Sequence, residues 1–252
     1  FGEERKAKIM DLIQKEARVS VIELSKLFQV SESTVRRDLK ELEDAKLLTR
    51  THGGAVSLEH VNFEPTFGEK EEKFQKEKIA IAKKAMEWIE EGDTILFDSG
   101  TTIYHLVKEL NAFQQLTVVV NSLIFAQELQ NNKEIEVVSI GGSLRKETLA
   151  FVGPLAEQSL DAIRVDKAFI ATNGIDQKNG LTTPNLIEAA TKRKMIQSAK
   201  QVILLADHSK IGKTTFGKFA DLSDIDLFIT DQEAPKAFIQ ELFEQGIDVY
   251  TV

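Results

Sequence analysis

The sequence predicts an α/β chain in two parts, a winged helix-turn-helix at the amino end and a larger, mainly parallel sheet covered by helices behind it. Three observations predict it. Residues 19–56 hold two short amphipathic helices around the turn Gln29-Val30-Ser31, with neither Pro nor Gly before Gly53. From Thr94 onward, short β-rich apolar runs alternate with amphipathic helical stretches, as βαβ crossovers require. Between the two, residues 57–68 lack periodicity and contain Pro65 and Gly68, the composition of a linker. The expected division is therefore 1–56, a linker at 57–68, and 69–252.

Taken in order, Ile9, Leu12, Ile13 and Ala17 at helical spacing predict a first helix over Glu4–Ala17. Val21, Leu24, Leu27 and Phe28 predict a second over Val21–Phe28, burying all four. Ser31 is placed to cap a third helix, with Glu32 favourable beside its dipole and Val35, Leu39, Leu42 and Ala45 as its inner stripe. Leu47–Val56, around Gly53-Gly54, reads as a two-stranded wing. A long helix is expected over Glu69–Glu91, charged outside and apolar at Ile79, Ile81, Ala82, Ala85, Met86 and Ile89, ended by Gly92-Asp93. Strands are expected at 94–98, 117–121, 135–140, 166–171, 201–206, 226–230 and 247–252. Helices are expected at about 101–111, 123–131, 187–199 and 235–245.

The bulk numbers narrow the function class. Of 252 residues, 42% are hydrophobic and 29% charged, ordinary for a globular protein with ample core. No apolar run approaches the roughly 20 residues of a membrane span, and no signal peptide opens the sequence, so no membrane partner is expected. With no cysteine, disulfides and thiolate metal sites are excluded, and a cytoplasmic location is expected. The net charge of −8 is uneven: residues 1–56 carry 11 Lys+Arg against 10 Asp+Glu, and the remainder 21 against 30. Affinity for a polyanion would come from clustered cations at the amino end, while the acidic bulk suppresses indiscriminate binding.

Those cations sit where a helix-turn-helix would use them. Ser33, Thr34, Arg36, Arg37 and Lys40 fall on the polar side of the third helix. Arg suits bidentate contact with guanine in the major groove, and Lys40 suits a phosphate. Arg50, His52 and the Gly53-Gly54 backbone could follow the duplex backbone or minor groove. A solvated helix, with Arg36 paired to Glu32 or Lys40 to Asp44, would use the same residues.

In open α/β sheets, ligands lie beyond the carboxyl ends of the strands. Asp98-Ser99-Gly100-Thr101-Thr102 stands at such an end, just before a helix. There glycine lets the backbone approach a phosphate, and hydroxyls and amides donate to it. Ordinary strand-to-helix capping accounts for the same run. Gly141-Gly142-Ser143 ends another strand, with Arg145 and Lys146 behind it as countercharges. Asn173-Gly174 and Asp207-His208-Ser209-Lys210 follow two more: Asn and Asp suit sugar hydroxyls and Lys210 a phosphate, though exposed turns use these residues too. Glu188, Lys192 and Arg193 share one helix, where Glu188 and Lys192 have the spacing of an ion pair.

No cofactor or metal is expected. His52, His60, His105 and His208 lack metal-ligand spacing. Gly212-Lys213-Thr214 imitates a phosphate loop, but Asp207 stands where that motif needs its first glycine.

Arg5, the run SESTVRRDLKELE and the closing RTHGGA resemble the DeoR family of bacterial transcriptional regulators. The resemblance continues through IEEGDTILFDSGTT, DKAFIATNGID, GLTTP and LADHSKIG, and so covers nearly the whole chain. Ala45-Lys46 departs from it, standing where many relatives end the helix with glycine. The resemblance implies a winged helix-turn-helix joined to a sugar-phosphate-sensing domain similar to ribose-5-phosphate isomerase. It also implies a homo-oligomer, dimer or tetramer, repressing a sugar-utilisation operon by binding double-stranded operator DNA. TNGID and GLTTP look like segments of fructose-operon regulators, which points to fructose 1-phosphate first and tagatose 6-phosphate or another phosphosugar next. Such isomerases carry an acidic cluster near residues 172–176; Asn173 cannot act as a general base, so binding without turnover is expected, although Asp176 remains. The competing readings are an isomerase-like enzyme with an appended DNA-binding module, and a nucleic-acid binder without a ligand.

Overall fold

The computed structural model describes residues 2–16, 18–45, 47–57 and 64–252. The chain divides between Pro65 and Thr66 into two compact units, each taken by itself.

The first unit runs α1 (Gly2–Glu16), β1 (Arg18–Ser20), α2 (Val21–Phe28), α3 (Glu32–Asp44), β2 (Leu48–Thr51) and β3 (Gly54–Ser57). Ser20 opens α2 with a capping box to Glu23, and Gln29, in the left-handed region at φ 53°, closes it without a glycine. Ser31 caps α3 by accepting from the Thr34 amide. Ile9 and Ile13 of α1, Val21 and Leu24 of α2, and Val35, Leu39 and Leu42 of α3 share one core. Three expectations are corrected. Leu27 is 61% exposed, because α2 points Val21 and Leu24 at the core with Phe28 packed partly against it, and Leu27 falls outside that stripe. Ala45 is exposed as well, since α3 has ended at Asp44 and Ala45 is its cap, at φ −78° and ψ 2°. The wing has three strands, in the order β1-β3-β2, because β1 pairs antiparallel with β3. That pairing explains one glycine of the pair: a Cβ on Gly54 would lie 1.8 Å from the Val19 carbonyl oxygen. Ala17 and Lys46 lie outside the described residues, as do residues 58–63 of the expected linker and His60 within it.

The second unit opens with α4 (Phe67–Glu71) and α5 (Gln75–Ala85). The single helix expected over Glu69–Glu91 is therefore broken: the chain turns at Phe74, a non-glycine residue at φ 53°. α5 buries Ile81, Ala82 and Ala85 as expected but departs at its start, with Lys78 buried at 2% exposure and Ile79 outside at 37%. Then follow β4 (Thr94–Phe97), α6 (Thr101–Lys108), β5 (Leu116–Val120), α7 (Leu123–Leu129), β6 (Ile135–Ser139), a hairpin of β7 (Ser143–Arg145) and β8 (Ala150–Val152), and α8 (Pro154–Asp161). The chain continues with β9 (Val165–Ile170), β10 (Gly174–Asp176), β11 (Gly180–Thr183), α9 (Leu186–Ser198), β12 (Ala199–Leu205), β13 (Gly217–Ala220), β14 (Leu227–Thr230), α10 (Lys236–Glu244) and β15 (Asp248–Thr251).

Seven strands form one parallel sheet in the order β15-β14-β12-β9-β4-β5-β6. Their alternating side chains supply two cores. Ile95, Phe97, Val118, Val120, Phe169 and Ile203 pack against α5, α6 and α7. Leu96, Val119, Ala168, Ile170, Val202 and Leu204 pack against α8, α9, α10 and an antiparallel sheet β10-β11-β13. From β4 the chain builds outward through β5 and β6, then returns to place β9 on the other side. The order thus reverses between β4 and β9, which opens a crevice at their carboxyl ends.

Candidate functional site

On the first unit, α3 presents Ser33, Arg36, Arg37 and Lys40 as exposed side chains with Thr34 half-buried beside them. Ser31 Oγ lies 2.8 Å from Ser33 Oγ and 2.9 Å from Thr34 Oγ1, so the hydroxyls at the start of the helix form one cluster. Arg36 donates to the His52 carbonyl at 3.3 Å and lies 3.6 Å from Glu32, which ties the helix to the turn of the wing. Arg50 is half-buried: its amide donates to Glu43 and its guanidinium lies 3.8 Å from the same carboxylate. His52 and Gly53 stand exposed at the turn, and the Gly53 carbonyl accepts from the Val21 amide at 2.7 Å. Beneath this face is a pair that spacing alone could not show. Arg5 on α1 grips buried Asp38 on α3 through Nε at 2.5 Å and NH2 at 3.0 Å, which holds the Arg5 pKa above its ordinary value.

In the second unit the reversal of strand order opens onto a small cavity of about 40 Å³. Ser99, Gly100, Thr101 and Thr102 line it after β4, and Ala171, Thr172 and Asn173 after β9. Leu205, Ala206 and Lys210 line it after β12, and Glu188 and Lys192 reach it from α9. Three expected loops thus converge on one wall. Asp98, fully buried, is the keystone beneath them: its carboxylate accepts from the Ser99 amide at 2.9 Å and the Ala171 amide at 3.0 Å, and pairs with Lys192. Lys192 also donates to the Ala171 carbonyl at 3.1 Å. Glu188 accepts from Thr183 at 3.1 Å and is gripped by Arg145.

Not every expected residue lines the cavity. Gly141 and Gly142 lie away from it, and Arg145 acts through Glu188. Gly174 is buried in the sheet, where a Cβ would lie 2.4 Å from the Lys213 carbonyl oxygen, so packing alone demands glycine. Asp207, wholly buried, sits beneath Lys210; one oxygen accepts from the Ser209 amide at 3.0 Å, and the other has no hydrogen-bond partner among the described residues.

The sequence reading missed Lys70, Lys78, Thr148 and Thr172 in the lining. Lys78 was concealed by its place on a helix full of charges. The Thr148 hydroxyl, also buried without a partner among the described residues, carries no sequence signal, because it comes from the β7–β8 hairpin. Burial, with the charge of Lys210 next, lowers the Lys78 ammonium to about 8; burial likewise lowers Lys210 and Lys213, against the opposing pull of Asp207. Asp98 and Glu188 balance Lys192 and Arg145. Lys70, Lys78 and Lys210 stand on the same side, with Asp207 and Glu71 as the acidic groups acting on Lys78.

Comparison with known proteins agrees with this layout. Residues 5–61 match the DeoR-like helix-turn-helix domain, and residues 73–232 the DeoR C terminal sensor domain. The chain is 42% identical to the HTH-type transcriptional regulator GlpR of Haloferax volcanii, over 98% of this chain and 96% of that protein. It is 40% identical to the HTH-type transcriptional regulator YulB of Bacillus subtilis over 99% and 96%, and 37% identical to the HTH-type transcriptional repressor GlcR of the same organism over 99% and 96%. Among solved structures, ribose 5-phosphate isomerase from Methanocaldococcus jannaschii aligns with a TM-score of 0.40 at 18% identity, over 54% of each chain. Among the described residues, no helix is long and apolar enough to cross a membrane, and no group of His, Asp and Glu could hold a metal ion.

A helix-turn-helix unit followed by a sensor unit defines a DNA-binding transcriptional regulator. The chain belongs to the DeoR family.

Proposed function

We propose that this regulator represses a sugar-utilisation operon and is released from its operator by a phosphorylated sugar bound in the cavity at the β4/β9 crevice. The observation that carries the reading is the wall itself. Lys70, Lys78 and Lys210 stand beside the hydroxyls of Ser99, Thr101 and Thr102, and the Thr148 hydroxyl, without a hydrogen-bond partner among the described residues, completes the lining. Lysines and hydroxyls suit a phosphate; Asn173, Thr172 and Glu188 across the cavity suit sugar hydroxyls. For release, the sugar must bind the arrangement that cannot hold DNA more tightly than the one that can.

The same geometry supports binding without turnover. Both oxygens of Glu188 are held, one by Arg145 and one by Thr183, and Asp98 is held by Lys192 and two amides. Neither carboxylate is free to shuttle a proton, and Asp176 is occupied by the amides of Lys178 and Asn179. Fructose 1-phosphate is the first candidate, tagatose 6-phosphate the next, and a dimer or tetramer the expected assembly.

The test is a thermal-shift screen of phosphosugars on the full chain, then operator binding with and without each hit. A ligand that raises the melting temperature and weakens operator binding supports the proposal. A screen without a hit, or conversion between aldose and ketose phosphates that is lost in Glu188→Gln, sinks it.

A further inference from the structure

We propose that Lys78 is the switch through which an anion in the cavity acts on α4, the element that directly follows Pro65; this rests on the reading of the cavity as the effector site. Lys78 is nine-tenths buried in α5, and its ammonium donates to the carbonyl of Lys70 at the carboxyl end of α4. The Lys73 amide donates to the same oxygen at 3.3 Å. At five residues, α4 is too short to persist by itself and depends on its attachments. These are the Thr66–Glu69 capping box, the Phe67 amide donating to the Glu147 carbonyl at 2.7 Å, the Phe67 ring edge-on to Tyr104, Glu71 at 3.1 Å from His105, and the Lys78 ammonium.

The turn at Phe74 folds α4 and α5 together so that Lys70 and Lys78 line the cavity with Lys210. Phe74 packs edge-on against His208 at 5.0 Å between ring centres, and His208 is itself held by Asp231 at 2.8 Å, which fixes this elbow to the loop carrying Lys210. A neutral carbonyl is the weaker partner for a buried ammonium, since a phosphate adds the attraction between two full opposite charges, strengthened where water is excluded. An anion seated beside these three lysines therefore takes the Lys78 ammonium from the Lys70 carbonyl and draws the Lys70 side chain the same way. The last turn of α4 loses a donor and loosens. The cap of α4 begins at Thr66, so the loosening is passed by chain continuity to the residues leading into the first unit.

Amide hydrogen exchange on the full chain tests this, with fructose 1-phosphate and inorganic phosphate as probes and the thermal shift recorded alongside. In the unsubstituted protein a stabilising probe is expected to accelerate exchange at Glu72 and Lys73. Lys78→Met should exchange fast at both amides without any probe and show no further change. Lys78→Gln, which keeps a donor for the carbonyl, should restore slow exchange and also shows that the fold tolerates substitution there. A thermal shift with unchanged exchange at Glu72 and Lys73, or Lys78→Met exchanging as slowly as the unsubstituted protein, overturns the switch alone. Absence of any thermal shift overturns the effector reading, while the comparison of Lys78→Met with Lys78→Gln still decides whether the ammonium holds α4.

Discussion

Lys192 donates its ammonium to Asp98 across the point where the sheet changes direction, and both side chains are buried. This pair joins α9 to the loop that opens α6, so it sets the shape of the cavity wall as well as its charge. Removing one member of a buried pair leaves the other charge stranded, at a cost of about 3–5 kcal/mol. Asp98→Ala or Lys192→Met should each destabilise the second unit on that scale. The double substitution Asp98→Leu with Lys192→Met should recover most of the loss while abolishing the thermal response to phosphosugars. Trp88, the one tryptophan in the sequence, lies in this unit and reports its unfolding in urea. Single variants as stable as the parent would refute the pairing as a support.

Arg5 and Asp38 do for the first unit what that pair does for the second. Asp38 is 3% exposed on the helix that carries Arg36 and Arg37, and its partner comes from α1. Asp38→Ala takes the partner from a part-buried guanidinium, leaving it Glu41 nearby, and should cost about 1–3 kcal/mol. Operator binding should then fail through unfolding of α3 rather than through loss of a contact. Circular dichroism against temperature should show an early, partial melt, with the Trp88 transition unmoved. If the two transitions move together, the units do not unfold separately.

Arg36 and Arg37 differ in what each must give up to meet DNA. Arg36 already donates to the His52 carbonyl and sits beside Glu32, so using it on a base means breaking those links. Arg36→Ala and Arg37→Ala should each weaken operator binding by about 1–3 kcal/mol if they read bases. Lys40→Ala should weaken binding evenly across sequences and lower the salt dependence by about one counterion. All three side chains are exposed, so melting temperatures should not change. Unchanged affinity in both arginine variants would remove α3 as the reading helix.

What the sequence made legible follows from locality. Period and capping are local, so Ser31 as the cap of α3 and all seven strands of the parallel sheet could be read from neighbouring residues. The run from Asp98 to Thr102 was legible because a strand end, a glycine and hydroxyls stand together. The break at Phe74 was not, because the left-handed turn is made by a residue that rarely adopts it, in a stretch whose charges read as one solvated helix. Lys78 was assigned to the outside for the same reason; its ammonium is held by the Lys70 carbonyl across the turn and lies near Asp207, far off in sequence. Gly174 failed in the other direction. It looked like a site residue beside Asn173 but answers to a backbone contact with Lys213.

The depressed Lys78 ammonium gives effector binding a pH dependence of defined sign. In the free protein this group titrates at about 8, held down by burial and by Lys210 and Lys70, against the opposing charges of Asp207 and Glu71. Its folded value lies below the ordinary 10.5, so the unfolded chain binds more protons between about 8 and 10.5, and this group's contribution to stability rises with pH across that window. Bound phosphate reverses the local field and raises the ammonium again, so the complex holds a proton that the free protein has lost above pH 8. Affinity for a phosphosugar should therefore fall as pH rises through about 8, by up to about tenfold per pH unit if that proton is required. Below about pH 6 it should fall again as the phosphate loses its second charge. Calorimetric titrations at pH 8.5 in two buffers of different ionisation enthalpy should show proton uptake on binding. Lys78→Met should reduce that uptake and soften the alkaline limb, Lys210, lowered by the same burial, supplying the rest, and an affinity constant from pH 7 to 9.5 in the unsubstituted protein would show that Lys78 does not meet the anion.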